Sequence, residues 1–137
     1  MKYLIDTSAL YPLILTLRDK ILLHTDILFA LDLTIYEVGN ALWREYRRGR
    51  IKNLKTTVPL FQEALNSINT LKIDNIDEVL KIAIDKNITF YDASYIYVAE
   101  KTGLKLVTED KEILEKYGNA INLKKMLEEI GEKQFQT

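Results

Sequence analysis

Four acidic side chains, Asp6, Glu37, Asp92 and Asp110, stand where an apolar run hands over to a helix or where a helix opens. Two kinds of chemistry suit that position. A carboxylate in the first helical turn accepts from free backbone amides and favours the positive end of the helix dipole. Thr34-x-x-Glu37 and Thr89-x-x-Asp92 match the capping box, and Asp6 and Asp110 suit the same role singly. Several carboxylates gathered in one pocket do something else. At an effective dielectric of 20, two of them about 4 Å apart repel by ~4 kcal/mol, so four remain ionised together only around a cation. For any one acid taken alone, capping is the simpler account. Asp74 and Asp77 also follow a short apolar run and open a helix, and local spacing does not separate them from the other four.

Helical geometry distinguishes Glu37 and Asp92 further. At 100° per residue Asn40, Arg44 and Arg48 lie within about 60° of Glu37, and Ile35, Val38, Leu42 and Tyr46 fall on the opposite side. One face is expected to bury while the other presents a carboxylate, an amide and two guanidiniums, although a solvated face would also be charged. Asp92 has Tyr95, Ile96 and Ala99 as helical neighbours, so most of 91–99 reads as buried and its charge needs a cap or a cation. Between residues 44 and 55 six basic side chains stand against one acidic, with Trp43 and Tyr46 interleaved. Arg44, Arg47, Arg48 and Arg50 are thus candidates for gripping nucleic-acid phosphates, against the plainer reading of a solvated helix end. His24 is the single histidine and reads as a surface or helix-end residue. Tyr91, Tyr95 and Tyr97 read as core packing.

The elements that must carry these residues alternate strand and helix. Residues 3–5 form a continuous apolar run, the habit of a strand covered on both faces of a parallel sheet. Leu10, Leu13, Ile14, Leu17 and Ile21 continue as one helix, with Pro12 in its first turn. A strand at 27–31 leads to a helix from Thr34 to about Arg48, stopped by Gly49. Val58, Phe61, Leu65 and Ile68 mark a third helix, residues 71–73 a short strand, and Ile76, Val79, Leu80, Ala83 and Ile84 a fourth helix. A helix from Thr89 to Lys101 ends at Gly103 before a strand at 104–107. A short helix at 110–117, a strand at 120–123 and a last helix holding Met126, Leu127 and Ile130 complete the chain, with residues 134–137 expected to fray. The pattern predicts an α/β three-layer sandwich around a central, mostly parallel sheet of four or five strands. In such sheets sites form beyond the carboxyl ends of the strands, where Asp6 would stand.

Composition narrows the chemistry. With 137 residues, 47% of them hydrophobic, the chain is expected to make one domain. No apolar stretch approaches the ~20 residues of a bilayer span, and the first residues lack a secretory pattern, so an intracellular, cytoplasmic protein without membrane contact is expected. Without cysteine there are no disulfides, thiolate metal sites or thiol nucleophiles, and any metal must sit on oxygen or on His24. Five scattered glycines form no phosphate-binding loop. Asp6 has no adjacent acid of the kind a phospho-receiver pocket pairs, and Ser8 occupies the place of the second acid in an Asp-x-Asp phosphatase. A net charge of -1 gives no global attraction for nucleic acid, so the basic signal is local.

Residues 4–10 (Leu-Ile-Asp-Thr-Ser-Ala-Leu), 36–42 (Tyr-Glu-Val-Gly-Asn-Ala-Leu), 90–95 (Phe-Tyr-Asp-Ala-Ser-Tyr) and 106–110 (Leu-Val-Thr-Glu-Asp) resemble, in order and separation, the four motifs of PIN domains. The resemblance spans nearly the whole chain and points toward the VapC-like ribonuclease toxins and their archaeal relatives. It implies a parallel sheet with helices on both sides and an acidic pocket that binds Mg²⁺ or Mn²⁺ and cleaves RNA. Asp6, Glu37, Asp92 and Asp110 fall on its acidic positions, with Thr7, Ser8 and Thr108 on the hydroxyl positions beside them and Asn40 one turn beyond Glu37. Asp74 and Asp77 match none. A cognate antitoxin and a homodimer are the partners such a family implies, and the apolar Leu15, Leu22 and Leu23 also suggest a dimer. The rival reading is a binding module of the same fold with an idle pocket.

Overall fold

The computed structural model describes residues 1–132, so the tail expected to fray lies outside the described residues. Its first strand, β1 (Tyr3–Ile5), is wholly buried, and the sheet is ordered around it. β2 (Leu28–Leu31) and β3 (Asn69–Leu71) lie to one side, β4 (Lys105–Val107) and β5 (Ala120–Ile121) to the other, giving the order β3-β2-β1-β4-β5. All four pairings are parallel, with Leu4 opposite Phe29 and Leu106. Because successive side chains of a strand point to opposite faces, Tyr3 and Ile5 enter one core layer and Leu4 the other. The first layer packs β1 beneath α1 (Thr7–Leu17), α3 (Leu54–Ser67) and α7 (Leu123–Ile130), with Val38 of α2 (Asp32–Arg47). The second packs it beneath α4 (Ile76–Lys86), α5 (Phe90–Thr102) and α6 (Lys111–Lys116). The expected sandwich is present, with five strands and no antiparallel member.

Several expected elements are shifted for local reasons. The first helix stops at Leu17 because Arg18 takes positive φ (53°), and a 3-10 segment, Arg18–His24, carries Ile21 into the core instead. β3 lies at Asn69–Leu71 rather than 71–73, and Ile68 caps α3 in extended conformation instead of continuing it. α5 ends as expected on Gly103, whose φ of 77° suits a residue without Cβ. On α2 the buried line is Thr34, Val38 and Ala41, so the expected burial of Ile35 and Tyr46 fails: both are about half exposed. On α4 only Val79 and Ala83 are buried, and Ile76, Leu80 and Ile84 form an exposed stripe.

The chain builds β1, β2 and β3 outward, then crosses back to lay β4 against the free edge of β1. The strand order reverses between β1 and β4, and the carboxyl ends of those two strands carry Asp6 and Thr108.

Candidate active site

Asp6 leaves β1 in extended conformation and caps α1. Its Oδ1 accepts from the Ala9 amide (3.2 Å) and the Ser8 hydroxyl (2.6 Å), and its Oδ2 accepts from the Thr108 hydroxyl (2.5 Å). Capping is therefore real, but it does not require a carboxylate that is only 5% exposed. Burial pushes the Asp6 carboxyl up to about 6, against the pull of those three donors, and the charge of Asp92 adds to the rise. Thr108, fully buried at the end of β4, also accepts from the Asp110 amide (3.1 Å), while Ser8 accepts from the Glu109 amide (2.9 Å). The two hydroxyls thus lock the strand ends together around one carboxylate.

Glu37 is not in a capping box. α2 starts one turn earlier than expected, and the Thr34 hydroxyl accepts from the Leu31 amide (3.1 Å). Glu37, part-buried, directs Oε1 at the Thr7 hydroxyl (2.9 Å) and the Tyr95 hydroxyl (2.7 Å). Tyr95 is in turn 2.7 Å from Thr34 Oγ1, so a buried line runs from the Leu31 amide through Thr34 and Tyr95 to Glu37. Burial and the adjacent Glu37 raise the Tyr95 phenol far above its ordinary range, keeping it a donor. Oε1 is held by two hydroxyls, and Oε2 accepts nothing among the described residues.

Asp92 sits in the first turn of α5, where the Thr89 hydroxyl accepts from its amide (3.1 Å). Its half-buried carboxyl is raised by desolvation first and then by the charge of Asp110, with smaller contributions from Glu37 and Glu112. Asp110 caps α6, accepting through Oδ1 from the amides of Glu112 (2.8 Å) and Ile113 (3.2 Å). Asp6 and Asp110 are thus cap and acid at once, Asp92 lies one turn behind the Thr89 cap, and Glu37 comes from further along α2.

Of the other residues picked out in sequence, Asn40 and Arg44 are exposed and, with Thr7, Ser8 and Glu37, line a cavity of about 550 Å³. Arg47 lays its guanidinium over the Trp43 ring (4.9 Å), and Arg48 caps the end of α2. Arg50 is paired with Glu45 (3.1 Å). Asp74 accepts from the Tyr97 hydroxyl and is not among the main charges that raise Asp6 or Asp92. His24 ends the 3-10 segment against Glu132 (2.9 Å). Thr34 and Tyr95 were missed in sequence, one read as a cap and the other as core. The available signal was spacing: Tyr95 follows Asp92 by three residues, and Thr34 precedes Glu37 by three, the separation of neighbours on one helical face.

Among the described residues no group of three His, Cys, Asp or Glu side chains is gathered closely enough to hold an ion unaided. The donors nonetheless suit a hard cation. They are all oxygens, their negative charges raise the carboxyls of Asp6 and Asp92, and Mg²⁺ characteristically takes one or two carboxylates and keeps several waters.

The sequence profile of the PIN domain matches residues 3–119. This chain is a PIN-domain protein. The matched span holds all four acids and ends ahead of α7, whose Leu123, Met126 and Leu127 complete one core layer of this PIN domain. The chain is 46% identical over 127 residues to the exonuclease VapC9 of Pyrobaculum aerophilum, covering 93% of this PIN protein and 94% of the relative. It is 33% identical over 126 residues to the ribonuclease VapC3 of the same organism, covering 85% and 95%. The crystal structure of PAE2754 from P. aerophilum superposes with a TM-score of 0.86 at 43% identity, covering 96% of each chain. Fold and membership in the VapC-like branch of PIN proteins follow.

Proposed function

We propose that this chain is a VapC-type ribonuclease, the toxin of a toxin-antitoxin pair, cleaving RNA phosphodiester bonds with Mg²⁺ or Mn²⁺. The observation that carries the reading is the electrostatic strain at the strand reversal: burial raises both Asp6 and Asp92, the charge of Asp92 adds to the rise at Asp6, and the charges of Asp110 and Glu37 add to the rise at Asp92. A bound divalent ion would relieve that strain and supply an activated water and charge stabilisation at the phosphate. Asp6 and Asp92 would hold it, with Glu37 Oε2 and the second oxygen of Asp110 within the same set. The chain's own hydroxyls fix the carboxylates: Ser8 and Thr108 orient Asp6, and Thr7 and Tyr95 turn Glu37 so that one oxygen stays available. Arg44, Arg47 and Arg48 supply positive charge on the α2 side for the RNA backbone.

VapC names also support an antitoxin protein as partner and a cytoplasmic setting; no helix among the described residues is long and apolar enough to cross a membrane. A homodimer is supported by two sets of exposed apolar side chains, Ile76, Leu80 and Ile84 on α4 and Leu15, Leu22 and Leu23 on α1 and the 3-10 segment. The test is cleavage of labelled linear and circular RNAs with and without Mn²⁺, with Asp6→Asn as control. Metal-dependent opening of the circles establishes internal cutting; intact RNA under every condition leaves the pocket idle.

A further inference from the structure

The cavity beside the acids contains aromatic rings that neither the fold nor the carboxylates use. Tyr36 and Tyr91 immediately precede Glu37 and Asp92 in sequence, and both line this cavity. Tyr36 is 77% exposed and Tyr91 59%, so neither ring is held in place by core packing. Neither hydroxyl makes a hydrogen bond among the described residues, in contrast to the buried Tyr95. The inner wall is firmer: Tyr11 packs its ring on Phe61 at 5.0 Å. On the α2 side stand Asn40, an exposed carboxamide without an internal partner among the described residues, and Arg44. Arg44 makes no ion pair among the described residues, and the next residue, Glu45, is paired with Arg50.

Exposed rings, an uncommitted amide and an uncommitted guanidinium in one cavity are what an unstacked nucleotide requires. Aromatic faces accept any base by stacking, a guanidinium takes a backbone phosphate, and an amide offers both a donor and an acceptor to a base edge. The volume of about 550 Å³ lies in the range of sites that enclose small organic ligands. A protein groove of the apolar kind fits less well, since the lining alternates hydroxyl, carboxylate, amide and guanidinium with the rings.

We propose that this cavity is a nucleoside subsite, resting on the ribonuclease reading above. It receives the base and sugar of one unpaired nucleotide next to the scissile phosphate, with Tyr36 and Tyr91 as its stacking surface and Arg44 on the adjoining phosphate. The subsite requires an unpaired nucleotide, because a paired base cannot leave its stack without added cost.

The experiment uses a single-stranded oligoribonucleotide whose cleavage site has been mapped. Each nucleotide flanking that site is replaced in turn by an abasic residue. The parent, Tyr36→Ala, Tyr91→Ala and Arg44→Ala are compared in Mn²⁺. At one flanking position, loss of the base should raise KM by roughly five- to a hundredfold, the range of aromatic stacking on one base. The tyrosine variants should lose a similar factor on intact RNA and little more on the abasic oligonucleotide. Binding of the same oligonucleotides to Asp92→Asn is measured in parallel. If the parent cuts no RNA, the nuclease reading falls, and this subsite is still judged by whether an abasic residue, scanned along the whole oligonucleotide, weakens binding at any position. Equal KM and binding with and without every flanking base overturns the proposal, as do tyrosine variants that bind and cut like the parent. Either result would leave the cavity to a protein partner.

Discussion

Replacing Asp6 by Asn should stabilise the metal-free protein, and only where the aspartate is ionised. Asp6 is 5% exposed, and its carboxyl is carried from an ordinary 3.8 to about 6, chiefly by burial. Ionising such a group costs the folded chain about 3 kcal/mol at pH 7 relative to an unfolded chain. Asn keeps the shape and removes the charge. Its carbonyl can still accept from the Ala9 amide and the Ser8 hydroxyl, but the Thr108 hydroxyl loses its carboxylate acceptor, a loss of ~1 kcal/mol or somewhat more. The net expected gain is about 1–2 kcal/mol at pH 7. Its sign depends on pH in a defined way. The folded pKa lies above the unfolded one, so the stability the parent draws from protonating Asp6 is complete below about pH 4 and is lost as pH rises through 6. The variant should therefore be equal to the parent or slightly weaker near pH 4 and pull ahead between pH 5 and 7. Urea unfolding of both proteins in chelator across that range measures the difference. A difference that ignores pH, or a variant weaker than the parent at pH 7, refutes the claim that Asp6 is held in a strained, charged state.

Tyr95→Phe removes one of the two hydroxyls on Glu37 Oε1 and leaves the Thr34 hydroxyl with only the Leu31 amide, so it should cost about 1.5–3 kcal/mol of stability in denaturant melts and lower kcat more than it alters KM. Arg47→Ala with Arg48→Ala should weaken RNA binding and flatten its salt dependence, and Arg50→Ala should do less because Glu45 already holds that charge; binding titrations at several salt concentrations compare them. Leu80→Lys with Ile84→Lys should convert a dimer to monomer in sedimentation without unfolding it, since both side chains are exposed in the single chain.

Much of this architecture could be read from the chain because its strands are continuous apolar runs and its helices end on clear signals. Asp6, Thr89, Asp110 and Gly103 all stand at the boundaries where their chemistry places them. What escaped was tertiary. Thr34 looks like a cap in sequence, but Leu31 already turns the chain, so the Thr hydroxyl is drawn inward to a tyrosine that is 61 residues away. Tyr95 is 2% exposed and satisfies every expectation of a core residue; only its hydroxyl reveals a second task. The α4 stripe has the period of a buried face, yet Val79 and Ala83 do the packing and the larger residues remain outside, because periodicity identifies a face without saying what covers it. The helix-start acids carried two readings in sequence, and the structure joins them at Asp6 and Asp110, which cap their helices while Asp110 also bears on Asp92.

Whether those carboxylates act as one metal centre is tested most directly by titrating Mn²⁺ into the chelator-treated parent, Asp6→Asn and Asp92→Asn while following binding heat and melting temperature. The parent should bind, and should gain ~2.7 kcal/mol of stability at a hundredfold excess of Mn²⁺ over its dissociation constant, with both variants gaining far less. A parent whose melting temperature and heat signal ignore Mn²⁺, or variants that respond as fully as the parent, would contradict the account.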